Sequence, residues 1–276
     1  MQPMLTIALR AARKAGEMIA RATEQLDSVR VDEKKANDFV TEVDRASEKE
    51  LIYHLKKAFP DHGFLGEESG PTGNPNAEYR WIIDPLDGTT NFIRGIPHFA
   101  ISIACEYKGQ LEHALVLDPI RREEFSASRG RGAQLNGRRI RVSDRKGLDG
   151  ALIGTGIPFK SRGEQHIPAY MRSLENIASK TAGVRRAGAA SLDLAYVAAG
   201  RLDAFWEMAL APWDIAAGVL LVREAGGLAS DFNGGNSYME SGHIVVGNPK
   251  CFKAVLQVVQ PDLGYLCGSV ARPEAE

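Results

Sequence analysis

The chain has 276 residues, with 44 % apolar and 25 % charged side chains and a formal net charge of −1. That is long enough for one large domain or two closely packed ones, and too nearly neutral to argue for nucleic acid or an anionic membrane as a partner. It has no apolar run of 18 residues, no signal-peptide pattern after Met1, and three widely spaced cysteines without a C-x-x-C motif; a reducing cytosol is the expected setting, and any metal should be hard and oxygen-bound.

Taken in order, Leu5, Leu9, Ala12, Ala15, Gly16, Ile19 and Ala22 recur at helical spacing, so residues 4 to about 25 read as an amphipathic helix with a packing face. Residues 27–38 are charged and read as a solvated loop. A second helix spans about Glu42 to Phe59, closed by Pro60, with Thr41 and Asp44 at its start; Asp44 serves there as a capping acid or in some further role. Gly63 to Gly66 reads as a short strand that delivers Glu67 and Glu68. Residues 70–78 read as a polar loop. Trp81-Ile82-Ile83 has strand composition and is expected to stop at Asp84-Pro85. Two carboxylates, Asp84 and Asp87, then flank a stiff turn. Gly88 permits close approach to the backbone, and Thr89-Thr90-Asn91 has the composition of a helix start. Carboxylates for a cation thus lie within a few residues of donors for an anion.

Residues 99–107, 111–117, 123–128 and 133–142 are short apolar or alternating runs separated by Lys108-Gly109, Asp118-Pro119 and Asn136-Gly137, the pattern of an antiparallel meander. Beyond it come a strand at 150–155, a helix at 164–180, Arg185-Arg186 leading into Gly188-Ala189-Ala190-Ser191, and a helix through Ala199. A strand from Leu202 to Met208, a helix over 213–225 ended by Gly226-Gly227, strands near 228–232 and 243–247, and a helix from about Pro249 follow. Residues from about Leu263 read as a poorly ordered tail. An antiparallel sheet followed by alternating strands and helices predicts a layered α+β architecture leading into α/β, with halves at 1–147 and 148–262 forming one compact unit and 263–276 as its tail.

Glu67, Asp84, Asp87 and Asp214 each admit an ordinary structural role; Asp214 alone could simply cap its helix. Drawn together, they would repel by roughly 4 kcal/mol per pair at about 4 Å and an effective dielectric of about 20, and would need protons or cations. All-oxygen ligands favour Mg²⁺ or Mn²⁺ over zinc.

The string Asp84-Pro85-Leu86-Asp87-Gly88-Thr89-Thr90-Asn91-Phe92 resembles the first signature of the inositol monophosphatase family, magnesium-dependent and lithium-sensitive phosphatases. Ala211-Pro212-Trp213-Asp214-Ile215-Ala216-Ala217-Gly218 resembles its second, and Glu67-Glu68-Ser69 its upstream acidic element, over a span from about residue 4 to 260. The resemblance implies the five-layered αβαβα sugar-phosphatase fold. It implies one Mg²⁺ on Glu67, Asp84 and the carbonyl of Leu86, a second on Asp84, Asp87 and Asp214, and a weaker third near Glu67. Phosphate would rest on the N–H groups of Gly88 and Thr89. Water would be oriented by Glu67 and by Thr89, itself polarised by Asp44, and no phosphoenzyme would form. Substrate hydroxyls would meet Asp87, Gly188, Ala189, Ala190 and Glu207, the last of which reads otherwise as a strand-end residue near solvent. Residues 155–165 are a further candidate lining, and Lys34 and Lys35 would lie on a loop that reaches the metals.

Inositol 1-phosphate is the implied substrate, with fructose bisphosphate or 3′-phosphoadenosine phosphate as same-fold alternatives. A bacterial branch of the family also takes part in transcription antitermination through NusA and RNA polymerase, for which Arg185-Arg186 and the 27–38 segment are candidate contacts. Homodimers are common in the family, and one is expected here.

Overall fold

A computed structural model of the chain describes residues 2–35, 38–157 and 164–268. Two amphipathic helices, α1 (Pro3–Ala22) and α2 (Glu42–Ala58), form the outermost layer. Between them a hairpin, β1 (Val31–Lys35) and β2 (Asp38–Thr41), replaces the solvated loop expected at 27–38. Its alternation lies beneath a run of charges, which masked the strand signal. Residues Leu5, Leu9, Ala12 and Ile19 of α1 and Leu51 and Leu55 of α2 pack on one face of an eight-stranded sheet.

That sheet is built from β3 (Gly63–Gly66), β4 (Gly70–Gly73), β5 (Tyr79–Asp87), β6 (Ala100–Tyr107), β7 (Gln110–Asp118), β8 (Glu123–Ser128), β9 (Ala133–Leu135) and β10 (Arg138–Arg139), in the order β10-β9-β8-β7-β6-β5-β3-β4. The meander from β6 to β10 is antiparallel as expected, with Asn136 and Gly137 at positive φ in the last hairpin. β3 runs parallel to β5. β4 is an exposed edge strand of Gly-Pro-Thr-Gly where a loop was expected; an edge needs no donor from Pro71 on its open side.

The second sheet holds β11 (Leu152–Thr155), β12 (Gly183–Arg185), β13 (Ala204–Glu207), β14 (Leu228–Ser230) and β15 (Ile244–Gly247), ordered β12-β11-β13-β15-β14. Between the sheets lie α5 (Ala190–Ala198) and α6 (Pro212–Glu224), buried on nearly every side, which explains their almost unbroken apolar sequence. On the far face α4 (Ile167–Ala178) and α7 (Pro249–Leu263) close the molecule over Tyr170, Trp206, Phe232 and Val255. The layers therefore run α, β, α, β, α, the architecture expected from the sequence. The chain continues past Leu263 as a helical turn over Gly264–Cys267, held by Asn233 Nδ2 donating to the carbonyls of Gly264 and Gly268. Residues 264–268, expected in the tail, are thus held to the fold; the part of that stretch from 269 onward lies outside the described residues.

Candidate functional site

The parallel strands β3 and β5 end side by side, and the site grows from those ends. Glu67 follows β3 directly, its N–H donating to the carbonyl of Ile83 at 3.1 Å. The turn that carries it is fixed from beneath by Glu48 of α2, whose buried carboxylate accepts from the N–H groups of Glu68 and Ser69, each at 2.9 Å. β5 does not stop at Asp84-Pro85. It continues to Asp87, and its register against β6 slips there: Asp84 faces Ser102 while Asp87 faces Ala100. Residues three apart on a regular strand point to opposite faces; the one extra residue of the bulge brings Asp84 and Asp87 to the same side. Pro85, which cannot donate to a ladder, sits inside the bulge.

Gly88 then turns the chain at φ +91° into the short helix α3 (Thr89–Ile93). A Cβ at Gly88 would lie 3.0 Å from the carbonyl of His98 and 3.2 Å from Ala189, so both the left-handed backbone and the crowding select glycine. From the second sheet, Glu207 ends β13 with its carboxylate over Gly156, where a Cβ would fall 1.7 Å from Oε1. Asp214, in the first turn of α6, accepts from the N–H of Ala211 at 2.7 Å; the adjacent carbonyl of Trp213 accepts from Ser102 Oγ of β6 at 3.0 Å.

One cleft of about 360 Å³ is lined by Glu67, Asp84, Leu86, Asp87, Gly88, Thr89, Gly188, Ala189, Ala190, Glu207 and Asp214. Asp44 lies behind it, and its two readings are both realised. Its Oδ2 accepts from the N–H of Thr41 at 2.8 Å in a capping box, while its Oδ1 accepts from Thr89 Oγ at 2.8 Å. The Thr89 hydroxyl also reaches the carbonyl of Leu86 at 3.0 Å.

Two cleft residues escaped the sequence reading. Ser191 donates to Asp87 Oδ2 from both its N–H, at 2.7 Å, and its hydroxyl, at 2.5 Å. The signal was present, since a serine ends Gly-Ala-Ala-Ser just inside a helix, one residue past the stretch singled out. Arg186 lines the cleft rather than the outer surface, whereas Arg185 is exposed at the end of β12. Phe39 of β2 brings the hairpin to the rim; the side chains of Lys34 and Lys35 lie outside the described residues. Of the 155–165 stretch, Gly156 lines the cleft and 158–163 lie outside the described residues.

The electrostatics follow from crowding like charges away from water. Burial pushes the Asp84 carboxyl well above the ordinary range, and the charges of Glu67, Asp87 and Asp214 push it further. Asp87 is raised to about 6, chiefly by burial and against the bonds from Ser191. Glu207 is raised by burial and by Asp193, Asp214 and Asp87, with Arg186 opposing; Asp193 is raised by burial and by Asp87. Burial also raises Asp44, against its bonds to Thr41 and Thr89. Among the described residues no three His, Cys, Asp or Glu side chains form a finished coordination shell. The acids share a cleft and a field rather than a closed cage. The acids that line the cleft offer oxygen donors only, the type that a hard cation such as Mg²⁺ takes.

Residues 1–261 match the inositol monophosphatase family. The Nus factor SuhB of Pseudomonas aeruginosa is 63 % identical over 265 residues, covering 95 % of this chain and 98 % of that protein. The crystal structure of the extragenic suppressor protein suhB from Bartonella henselae superposes with a TM-score of 0.91 at 42 % identity, covering 94 % of this chain and 99 % of that one. The inositol monophosphatase of Anabaena (Nostoc) superposes with a TM-score of 0.83 at 36 % identity, covering 95 % and 97 %. Matched over residues 1–261 by the family model, and along nearly its whole length by these relatives, this chain belongs to the inositol monophosphatase family.

Proposed function

We propose that the chain is a Mg²⁺-dependent phosphatase that hydrolyses inositol 1-phosphate and related polyol monophosphates, with residues 1–147 and 148–262 acting as one catalytic unit. The observation that carries this reading is Asp84: a buried carboxylate facing the charges of Glu67, Asp87 and Asp214. Such a group is costly without a cation, and the family's Mg²⁺ dependence supplies the natural one. Glu67, Asp84 and the Leu86 carbonyl would hold one ion, Asp84, Asp87 and Asp214 another, with Mn²⁺ as a substitute. Bound there, Mg²⁺ supplies charge neutralisation, polarisation of the phosphate oxygens and a more acidic water.

The chain's own residues do the rest. Thr89 has one hydroxyl hydrogen and two acceptors in reach, and the charge-assisted bond to Asp44 is the stronger. With that hydrogen committed, the Thr89 oxygen is left to accept one from water. Glu67 receives the proton that the attacking water gives up. The backbone N–H groups of Gly88 and Thr89 orient the phosphate, and Asp87, Glu207 and the backbone of Gly188 to Ala190 orient the polyol hydroxyls. The test is phosphate release, with and without Mg²⁺, from inositol 1-phosphate, glycerol 2-phosphate, fructose 1,6-bisphosphate and 3′-phosphoadenosine 5′-phosphate. Labelled water should place one oxygen in the released phosphate. Absence of Mg²⁺-dependent release from all four would reject the reading.

A second role is favoured by the relative named Nus factor SuhB: action in transcription antitermination through NusA and RNA polymerase, in the cytoplasm and as a homodimer. No described helix is long and apolar enough to cross a membrane. Asp87→Asn should abolish hydrolysis while NusA and RNA polymerase are still retained by the immobilised protein. Loss of both together would tie the two roles to one site.

A further inference from the structure

One face of α2 grips three of the segments that build the acidic cleft. Asp44, Ser47 and Glu48 fall at positions i, i+3 and i+4 of that helix, so they stand side by side, and none is more than 3 % exposed. Asp44 takes hold of Thr89, where α3 begins. Ser47 Oγ donates to the carbonyl of Pro85 at 2.9 Å, inside the bulge that brings Asp84 and Asp87 to the same side. Glu48 closes over the end of β3, where Oε2 accepts from the N–H of Glu68 and Oε1 from that of Ser69. Gly66 makes room for this reach, since a Cβ there would fall 2.4 Å from Glu48 Oε2.

The side-chain types fit this task. Two adjacent N–H groups need two acceptors, which a carboxylate offers on separate oxygens and an amide does not. A buried carboxylate is costly unless it is hydrogen-bonded, so Glu48 and the turn hold each other in place. The Ser47 hydroxyl gives the Pro85 carbonyl a donor at the point where the ladder slips and regular pairing is interrupted. Neither Ser47 nor Glu48 lines the cleft. The backbone they grip carries the proposed ion ligands, because Glu67 directly precedes Glu68 and Pro85 lies between Asp84 and Leu86. Ligands from separate segments serve one ion only if their spacing holds to within about 0.5 Å, which a turn freed at its base cannot ensure.

We propose, on the Mg²⁺ reading of the cleft, that Ser47 and Glu48 are positioning residues that set its ion affinity: α2 holds the Glu67 turn and the Asp84–Asp87 bulge at one spacing without lending an atom to the ion. Calorimetric titration of the full chain with Mg²⁺, and separately with Mn²⁺, would compare wild type, Glu48→Gln, Ser47→Ala and Glu50→Gln, the last altering a residue of the same helix that pairs with His54 instead. Ion affinity should fall by about 10–100-fold in Glu48→Gln and by about tenfold in Ser47→Ala, and match wild type in Glu50→Gln. In phosphate release, the Mg²⁺ concentration for half-maximal rate should rise by the same factor in Glu48→Gln, while kcat at saturating Mg²⁺ stays within about threefold of wild type. A role confined to holding the fold together would lower the melting temperature and leave ion affinity alone. If Glu48→Gln does not fold, Glu48→Asp, which keeps the charge but draws it back by one methylene, carries the same comparison. Wild-type ion affinity in both Glu48→Gln and Ser47→Ala would overturn the proposal by itself. No ion binding by the wild-type chain would overturn it together with the Mg²⁺ reading.

Discussion

Asp87 and Ser191 illustrate how much of this cleft depends on a pair of side chains that sequence places 104 positions apart. One carboxylate oxygen accepts two bonds from Ser191, which counter the burial that lifts Asp87 to about 6. Ser191→Ala should therefore raise the Mg²⁺ concentration needed for half-maximal activity by about 10–100-fold, the usual cost of removing a partner behind a metal ligand. A kcat lowered at every Mg²⁺ concentration, with no change in metal requirement, would reject that role. Asp214→Asn removes a charge rather than a support. Hydrolysis should fall by about 10³-fold or more, on the scale set by losing one charge-stabilising group in phosphoryl transfer, while circular dichroism stays unchanged. At this scale the sequence was most readable, because Glu67, Asp84, Asp87 and Asp214 are named by local strings. Ser191 and Arg186 were not, because nothing local says which way a loop residue faces.

Elements were legible where periodicity was strong and obscure where two signals competed. α1 and α2 declared themselves through spacing, and the meander through its turn dipeptides. The β1–β2 hairpin was hidden by charge, and β4 by its glycines and proline. The continuation of β5 through Asp84-Pro85 was hidden by a proline that ordinarily ends a strand but here occupies a bulge. The bulge and the Gly88 turn are coupled devices, one setting the side on which the carboxylates emerge and the other redirecting the chain where a Cβ would fall 3.0 Å from the carbonyl of His98. Gly88→Ala should cost about 1–3 kcal/mol in urea unfolding, the penalty of a side chain at strongly positive φ, before any effect on catalysis. Thr41→Ala should cost about 0.5–2 kcal/mol through the lost helix cap. It should also lower kcat, because the same Asp44 that caps α2 holds the Thr89 hydroxyl.

At the scale of the molecule the cleft is a store of unfavourable charge. Asp87 binds protons in the native state up to about pH 6 that the unfolded chain, with a carboxyl near 3.8, has already lost. Stability without metal should thus fall as pH rises through about 4 to 6; Asp84, Glu207 and Asp193, raised by burial and by like charges, act in the same sense. Asp231 and Glu123, held below the ordinary range, act in the opposite sense and lose their contribution only in stronger acid. Differential scanning calorimetry in EDTA should give a lower melting temperature at pH 7.5 than at 5.5. Saturating Mg²⁺ should raise it by roughly 5–10 °C at pH 7.5, and by less at 5.5. An equal gain at both values would contradict the charge account.

The amide of Asn91 gives this arrangement a mechanical side. Its Nδ2 donates to the carbonyls of His98 at 2.7 Å and Ala187 at 2.9 Å, so a single residue near the end of the first signature clasps the segment that joins β12 to α5. Asn91→Ala would cut that tie, leaving the segment at Ala187 held to the first sheet by the packing of the α5 and α6 layer alone, so loosening should show first as faster amide exchange around Gly188 to Ala190.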